Sequence, residues 1–244
     1  MTASAREACV VIGAGDALGS AIARRFAAAG LVAVPVRRQA EKLATLADQI
    51  CESGGHCLPI GADAREEHDA QALFDRAERE AGPPRVLVFN IGPNVWWPLL
   101  ETESQKYLKT WEIACFSGFL CVREAARRMA RHGRGTILIT GATASLRGIK
   151  AYAAFSGAKQ ALRALAQSAA KELGPQNIHV AHVVIDGLID TAPVSRLFPE
   201  KYALKAADGI MDPDHIADAY YFLHAQPRDA WTFEMDLRPY MESW

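Results

Sequence analysis

The sequence predicts an α/β fold in which a single domain is built on a doubly wound, parallel, seven-stranded sheet. Short β-branched apolar runs alternate with helical patterns along the whole chain, which is typical of a parallel sheet covered by helices on both faces. A chain of 244 residues that is 50% hydrophobic can bury one large core. No linker or internal repeat interrupts the pattern, so residues 1–244 are predicted to form one domain.

Each predicted strand is a short apolar run, and each predicted helix repeats its apolar residues at helical spacing. The predicted strands are residues 10–12, 31–36, 57–61, 85–89, 135–140, 178–185 and 231–237. The predicted helices are residues 21–29, 40–51, 65–80, 103–115, 119–131, 151–173 and 213–224. Glycine and proline separate these elements where the chain must turn, as at Gly54, Gly55 and Pro83. The irregular segment near 188–212 is long for a connection, which predicts a substrate lid.

A glycine-rich turn joins the first strand to the first helix. Gly13 and Gly15 permit a sharp turn and leave bare backbone beside a ligand. The helix that follows presents its unpaired N–H groups and positive dipole end to the same place. This arrangement typically binds a pyrophosphate, although a turn that serves packing alone has the same glycines.

Composition and charge argue against several kinds of function. The net charge is −1 and no basic block is present, so nucleic acid is not an expected partner. No segment has the apolar length of a signal peptide or a membrane span. The five cysteines include no Cys-x-x-Cys pair, which favours reduced thiols in a cytoplasmic protein without a metal site. Cys51, His56 and Cys57 are interpreted as flanking a turn and not as zinc ligands.

Four segments that follow predicted strands should meet at one edge of the sheet. They are the glycine turn and residues 90–92, 141–145 and 186–191. Ligands of open parallel sheets bind beyond the carboxyl ends of the strands. The sequence therefore predicts one cleft formed by motifs that are far apart along the chain.

The order and spacing of these segments resemble the short-chain dehydrogenase/reductase family over nearly the full chain. This sequence reads IGAGDALG, NIG, GATAS, FSGAK and DGLIDT where the family has its glycine turn, NAG-like segment, serine segment, YxxxK motif and PG segment. The resemblance implies a Rossmann-like fold, a nicotinamide dinucleotide and hydride transfer with a small-molecule substrate. It also implies a homodimer or homotetramer, because the family pairs the helices equivalent to 119–131 and 151–173 between subunits.

The resemblance also implies which residues hold the dinucleotide. The glycine turn would approach the phosphates, and residues after the third strand would lie against the adenine. Residues after the fourth and sixth strands would line the riboses and the nicotinamide. These cofactor-binding candidates are Gly13, Asp16, Ala17, Leu18, Gly19, Asp63, Ala64, Asn90, Ile91, Gly92, Gly187, Ile189 and Thr191. Ile12 and Ala17 depart from the threonine and middle glycine of the family turn.

The end of the second predicted strand favours NADP(H) over NAD(H). An NAD-specific site places a carboxylate there to bind the ribose hydroxyls, and that carboxylate would repel a 2′-phosphate. This strand is followed by Arg37 and Arg38, and the next acid is Glu41. Guanidinium groups suit phosphate through paired, charge-assisted hydrogen bonds. Two solvated arginines are the alternative, and Asp16 near the phosphates argues mildly against NADP(H).

The residues at the family's catalytic positions depart most from the pattern. Lys159 matches the lysine, but Phe155 replaces the tyrosine that donates a proton. Family spacing places Ala142 at the serine and Cys115 at the asparagine, although a loop of different length would move either by a residue. Residues i and i+4 share a helix face, so Phe155 and Lys159 should be neighbours. The resemblance is to a divergent branch that has phenylalanine for the tyrosine and retains the lysine.

Other groups near the cleft could supply a proton. Tyr152 and Thr143 are candidates for a general acid and a substrate hydrogen-bond donor. A packing role for Tyr152, an inert thiol at Cys115 and a structural role for His182 are the competing interpretations. A substrate that carries its own proton source would need the tyrosine least.

Aromatic residues near the cleft predict an apolar or aromatic substrate. Trp96 and Trp97 would lie on one rim, and Leu197 and Phe198 would face them from the lid; packing under the lid or at a subunit contact is the alternative for the tryptophans. The sequence thus favours an NADP(H)-dependent oxidoreductase acting on a carbonyl, imine or enone. The alternatives are a dinucleotide-binding protein without redox turnover and a lyase or isomerase that retains its cofactor.

Overall fold

The protein, described over residues 6–242 by a computed structural model, has the predicted α/β architecture. Its strands are β1 (Ala8–Ile12), β2 (Val32–Arg37), β3 (His56–Cys57), β4 (Ile60–Gly61), β5 (Pro84–Phe89), β6 (Gly135–Thr140), β7 (Ile178–Ile185) and β8 (Glu234–Leu237). They pair in parallel in the order β3-β2-β1-β5-β6-β7-β8, and β4 also pairs with β2. The predicted fold class, a Rossmann-like doubly wound parallel sheet, is confirmed.

Helices cover both faces of the sheet. They are α1 (Leu18–Ala28), α2 (Ala44–Glu52), α3 (Glu67–Ala81), α4 (Ser104–Trp111), α5 (Ser117–His132), α6 (Ala153–Leu173), α7 (Ala192–Leu197), α8 (Pro199–Tyr202) and α9 (Pro213–Ala225). Alternate residues of β1 enter two separate cores, because side chains of a strand point to opposite faces. Val10 packs with α3, α5 and α6, whereas Val11 packs with α1, α2 and α9. No helix within residues 6–242 has the length and apolarity needed to cross a membrane.

The strand order places a crevice between β1 and β5. The chain adds strands outward from β1 in one direction and from β5 in the other, so the connections diverge at this point. The backbone N–H of Asn90 donates to Ile12 O at 2.9 Å, and its side-chain Nδ2 donates to Gly13 O at 3.2 Å. Such a switch point is where open α/β sheets bind their ligands.

Two predicted strands were wrong in detail. The single third strand at 57–61 is two short strands, β3 and β4, because Pro59 between them has no N–H to donate to the ladder. The last strand begins at Glu234 and not at residue 231. Trp231 instead stacks on His179 with ring centroids 4.9 Å apart, and Thr232 N donates to the Gln226 side chain at 2.8 Å.

The predicted break between helices 103–115 and 119–131 was also wrong. A π-helical turn, Glu112–Phe116, joins α4 directly to α5. Ser117 Oγ donates to Ile113 O at 2.6 Å within this run. Gly118 packs against Leu162 of α6, because a Cβ added to Gly118 would lie 2.6 Å from Cδ1 of that leucine. Gly118 therefore serves close helix packing within a continuous helical run.

Candidate functional site

A cavity of about 640 Å³ lies at the crevice between β1 and β5. It brings together the glycine turn, the end of β5 and the segment after β7, which are three of the four segments predicted to meet; residues 141–145 do not line it. The predicted cofactor-binding residues that line it are Gly13, Asp16, Ala17, Leu18, Gly19, Asn90 and Thr191. The side chain of Leu18 is buried in the core, so the contribution of Leu18 to this wall is mainly its backbone.

Two glycines of the turn are required by its geometry. Gly13 has a φ of +84°, and a Cβ there would lie 2.7 Å from Asn90 O. A Cβ on Gly19 would overlap the carbonyl oxygen of Gly13. Gly15, which was predicted to permit the sharp turn, has no positive φ, and a Cβ there would meet nothing within 4 Å. That part of the prediction was wrong, and Gly15 instead borders open space at the cavity.

This difference predicts opposite results for two conservative variants. Gly19→Ala should lower the free energy of unfolding by roughly 1–3 kcal/mol, because the added methyl group has no room. Gly15→Ala adds the same methyl group into open space and should leave stability within about 0.5 kcal/mol. Urea denaturation of both variants measures the difference. Equal losses would contradict the close contact between Gly19 and the turn.

The first turn of α1 is suited to a pyrophosphate. Its N-cap is Ala17, which supplies no side-chain hydrogen bond, and no acidic residue lies in the first turn. Ser20 N already donates to Gly15 O at 3.1 Å, whereas the N–H groups of Leu18 and Gly19 keep their donor capacity, and the helix dipole favours an anion. Together with the open space at Gly15, these residues fit a bound dinucleotide, whose nicotinamide would supply hydride chemistry.

Charged residues surround the predicted adenosine end of the cleft. Arg37 Nη1 donates to Asp16 Oδ1 at 2.8 Å, and Arg38 is exposed. Arg65 binds Asp63 through both carboxylate oxygens, with Nε to Oδ1 at 2.8 Å. These hydrogen bonds from Arg65 lower the pKa of Asp63. Ala64 is buried, and the side chain of Asp63 is held by Arg65.

Lys159 is buried beneath the floor of the cleft. Its Nζ donates to Thr140 O at 2.8 Å and to Ile91 O at 3.1 Å. Burial lowers the pKa of Lys159 to about 8. Gly92 leaves space for the lysine, since a Cβ there would lie 2.8 Å from Nζ. The Phe155 ring centroid is 5.9 Å from Nζ, which places the two residues side by side as their spacing predicted.

The lowered pKa of Lys159 predicts a pH-dependent stability. Between pH 8 and its ordinary value of 10.5, the unfolded chain binds the proton that the folded chain has lost, so folding is favoured as pH rises. Wild type should gain up to about 1.4 kcal/mol per pH unit relative to Lys159→Met in this window. Urea denaturation between pH 7 and pH 9.5 checks it, with exposed Lys171→Met as the control. Parallel curves for wild type and Lys159→Met would contradict the buried lysine.

A hydroxyl and a carboxylate meet at the carboxyl ends of β6 and β7. Thr143 Oγ1 donates a hydrogen bond to Asp186 Oδ1. Asp186 is 5% exposed, and its Oδ2 lies 3.4 Å from Nη1 of Arg238. Thr143 is half-buried and directly follows Ala142, whose N–H donates to Ser145 Oγ at 3.1 Å. Thr143 therefore has a partner that could accept its proton.

The other candidates for proton transfer are held by contacts that are typical of structural residues. Cys115 is buried in the π-helical turn, and burial raises its thiol pKa. His182 is fully buried, and its Nδ1 lies 2.9 Å from Glu234 Oε2. The Tyr152 and Phe155 ring centroids are 6.4 Å apart. These contacts favour the structural interpretations of Cys115 and His182.

The segment after β7 folds back on itself across the cleft. Ile189 pairs with Met211, and Asp190 accepts hydrogen bonds from Tyr202 Oη at 2.6 Å and Lys205 Nζ at 2.5 Å. Between these contacts lie α7 and α8, where the sequence predicted an irregular segment. Gly187 packs against Pro239, where a Cβ would approach Cδ to 2.6 Å.

The two tryptophans of the opposite rim differ in their environment. The side chain of Trp96 is 61% exposed, and Leu197 and Phe198 of the lid segment are exposed as well. Trp97 N donates to Ala151 O at 2.7 Å, which attaches the rim to the start of α6. Trp96 thus remains accessible to a ligand, whereas Trp97 is half-buried.

Sequence reasoning missed Arg24, Asp186 and Asp190. Arg24 lines the cavity and forms an ion pair with Asp214 at 2.9 Å. The position of Arg24 on α1 could not predict this ion pair, because Asp214 lies 190 residues further along the chain. Asp186 stands where the related family has proline, and that departure was the available signal for it.

Comparisons with known proteins agree with this geometry. The model of the family described as short chain dehydrogenase matches residues 7–201. A short-chain dehydrogenase structure from Rhodopseudomonas palustris is 45% identical, with a TM-score of 0.84 over 96% of this chain and 100% of that one. A metagenomic short-chain oxidoreductase in complex with NADP is 25% identical, with a TM-score of 0.81 over 96% and 98% of the two chains. The cis-4-hydroxycyclohexanecarboxylate dehydrogenase of Sinomonas cyclohexanicum is 31% identical over 91% of this chain and 90% of its own.

The fold and the cavity at the switch point define a Rossmann-type, NAD(P)-binding protein. The chain belongs to the short-chain dehydrogenase family, whose related members are oxidoreductases.

Proposed function

We propose that the chain is an NADP(H)-dependent oxidoreductase that transfers hydride to or from a small apolar or aromatic carbonyl, imine or enone. The cavity between the glycine turn, Asn90 and Thr191 carries this proposal, because its wall has the donors that a dinucleotide needs. Titration with NADPH and NADH, followed by fluorescence and thermal shift, tests it. Selective NADPH binding supports the proposal, and binding of neither cofactor would contradict it.

The choice of NADP(H) rests on Arg37 and Arg38. Both lie at the carboxyl end of β2, and Arg38 has no ion pair among residues 6–242. Two guanidinium groups beside the adenosine ribose can bind a 2′-phosphate through charge-assisted hydrogen bonds. Neither position 37 nor position 38 is an acid, although the carboxylate of Asp16 reaches Arg37 from the glycine turn.

Within the cleft, we assign separate roles to Lys159 and Thr143. Lys159 holds the nicotinamide ribose through its Nζ, and Phe155 beside it cannot exchange a proton. Thr143 Oγ1 is the hydroxyl that can exchange a proton with the substrate, and Asp186 Oδ1 is the acceptor that hydroxyl already contacts. Because the Thr143 hydroxyl already donates to a carboxylate oxygen of Asp186, the pair can accept a proton from an alcohol, so we expect alcohol oxidation to be the direction it assists most.

An apolar substrate is supported by the exposed side chains on both rims. Trp96→Ala should raise the KM for a cyclic alcohol by about tenfold, because it removes part of the apolar wall. Steady-state kinetics with cis-4-hydroxycyclohexanecarboxylate, the substrate named for a relative, and with a sugar alcohol measures this. Turnover restricted to the sugar alcohol, with no change in Trp96→Ala, would contradict an apolar substrate.

A dinucleotide-binding protein without redox turnover is the second candidate. The observation that favours it is Phe155, which removes the proton donor of the family from the face of α6. NADPH binding without turnover across a panel of alcohols, ketones, imines and enones would support this candidate. Turnover that Lys159→Ala lowers would support the oxidoreductase. A lyase or isomerase would convert its substrate without net oxidation of NADPH.

We also propose that the chain forms a homodimer or homotetramer in the cytoplasm. Leu108, Trp111 and Phe119 are exposed along the run from α4 to α5, which is an apolar surface for a second copy. Light scattering of purified protein measures the oligomeric state. A monomer at micromolar concentration would contradict this assignment.

A further inference from the structure

Asp16 forms an ion pair across the mouth of the adenosine end of the cleft. Its Oδ1 accepts from Arg37 Nη1 at 2.8 Å, and its side chain is 85% exposed while that of Arg37 is 29% exposed. The backbone keeps the two residues close, since Gly13 N and Ala14 N both donate to Val36 O at 3.1 Å. The glycine turn and the end of β2 are therefore joined by both backbone and side chains.

The carboxylate of Asp16 has no other structural task within the described part of the chain. It does not cap α1, whose N-cap is Ala17 and which has no side-chain cap. Among the described residues, the carboxylate of Asp16 accepts its hydrogen bond from Arg37. A carboxylate bound to Arg37 repels a phosphate that approaches this arginine, so it is unfavourable for anion binding there. It also occupies one nitrogen of the arginine to which we assign the 2′-phosphate.

We propose that Asp16 determines cofactor specificity by competing with the 2′-phosphate of NADP(H) for Arg37. This inference rests on the proposed function, since it assigns Arg37 to that phosphate. The exposed ion pair is weak and screened by salt, so a phosphate that carries more charge can displace it. NAD(H) has no 2′-phosphate and can bind with the pair intact. Asp16 therefore lowers the ratio of NADP(H) affinity to NAD(H) affinity that Arg37 and Arg38 alone would give.

A pair of probes isolates the 2′-phosphate. Adenosine 2′,5′-bisphosphate and adenosine 5′-monophosphate differ in that group alone, and calorimetry of the full chain measures their binding. Asp16→Asn should raise the affinity for the bisphosphate by about 5- to 10-fold and that for the monophosphate by less than about 2-fold. Raising the salt concentration from 25 to 200 mM should reduce the gain, because it screens the repulsion.

Two further variants separate competition from general charge. Glu41→Gln removes the same charge from the nearby exposed acid without touching Arg37, and it should leave the ratio of the two affinities unchanged. In an Arg37→Gln background, Asp16→Asn should give no selective gain, because the two residues act as one unit. Since Asp16 is exposed, its variant should retain the thermal midpoint of wild type.

The outcomes distinguish this inference from the proposed function. Equal gains for both probes, or no gain in a protein that binds NADPH, would overturn the competition while the proposed function stands. A gain that persists in the Arg37→Gln background would overturn it as well. Failure of wild type and Asp16→Asn to bind NADPH or either probe would overturn the proposed function together with the inference.

Discussion

Changing Arg37 to aspartate and Arg38 to alanine together is expected to lower NADPH affinity by at least about 100-fold. The double variant removes two guanidinium donors, each contributing roughly 1.5–3 kcal/mol to a charged hydrogen bond, and adds a repelling carboxylate. NADH affinity should stay within about threefold, because the pyrophosphate site at Gly13 and Gly19 is unchanged. Fluorescence titration with both cofactors measures the two affinities.

A matched control removes two arginines elsewhere on the surface. Arg79→Asp together with Arg76→Ala on α3 changes the net charge by as much as the double variant does, and both of these arginines donate to Glu80. This control should leave both affinities unchanged. If the Arg37 and Arg38 variant binds NADPH as tightly as wild type, the two arginines do not contact a 2′-phosphate and the assignment of NADP(H) is wrong.

Thr143→Val should lower turnover by about 10²- to 10⁴-fold, the usual contribution of a positioned proton-transfer group. Valine preserves the shape of threonine but removes the hydroxyl that contacts Asp186. Thr143→Ser keeps the hydroxyl and should retain most activity. The loss should fall on kcat while NADPH affinity stays unchanged, and steady-state kinetics with a cofactor titration separates the two.

Two further measurements distinguish proton transfer from a structural role of Thr143. Thr232→Val makes the same exchange in the loop before β8 and should leave turnover unchanged. Phe155→Tyr in the Thr143→Val background should recover part of the activity, since it restores a hydroxyl beside Lys159. Full activity in Thr143→Val would show that another group, or the substrate itself, supplies the proton.

The sequence was sufficient to predict the doubly wound sheet and the place of its cleft. Alternation of apolar runs with helical patterns is a local property, and the carboxyl ends of parallel strands must meet at one edge. The neighbours Phe155 and Lys159 were predictable for the same reason, because helical spacing alone brings them together. Local spacing therefore predicted the type of each element and the neighbours on a helix face, whereas it misplaced the bounds of the third and last strands and the helix break before residue 119.

Pairings between distant side chains could not be predicted in this way. Asp16 and Arg37 were read from the sequence as opposing arguments about the cofactor, whereas the structure shows them bound to each other. Thr143 and Asp186 are 43 positions apart, and their contact depends on the register of β6 against β7. The π-helical turn was not predicted either, because the sequence indicated two separate helices, 103–115 and 119–131, on either side of residues 116–118.

The two hydrogen bonds that Lys159 Nζ donates to backbone carbonyl oxygens have a consequence for how such sites evolve. Its Nζ links Ile91 O, after β5, to Thr140 O, at the end of β6, so the lysine ties together two adjacent strand ends without any ligand. Removing it would leave two carbonyl oxygens without that donor, at a cost of about 1–3 kcal/mol each where they are buried. The family tyrosine at the position of Phe155 is not needed to hold these two strand ends together. Selection for stability alone can therefore preserve the lysine after the tyrosine is lost, and this keeps the site close to one from which new chemistry can arise.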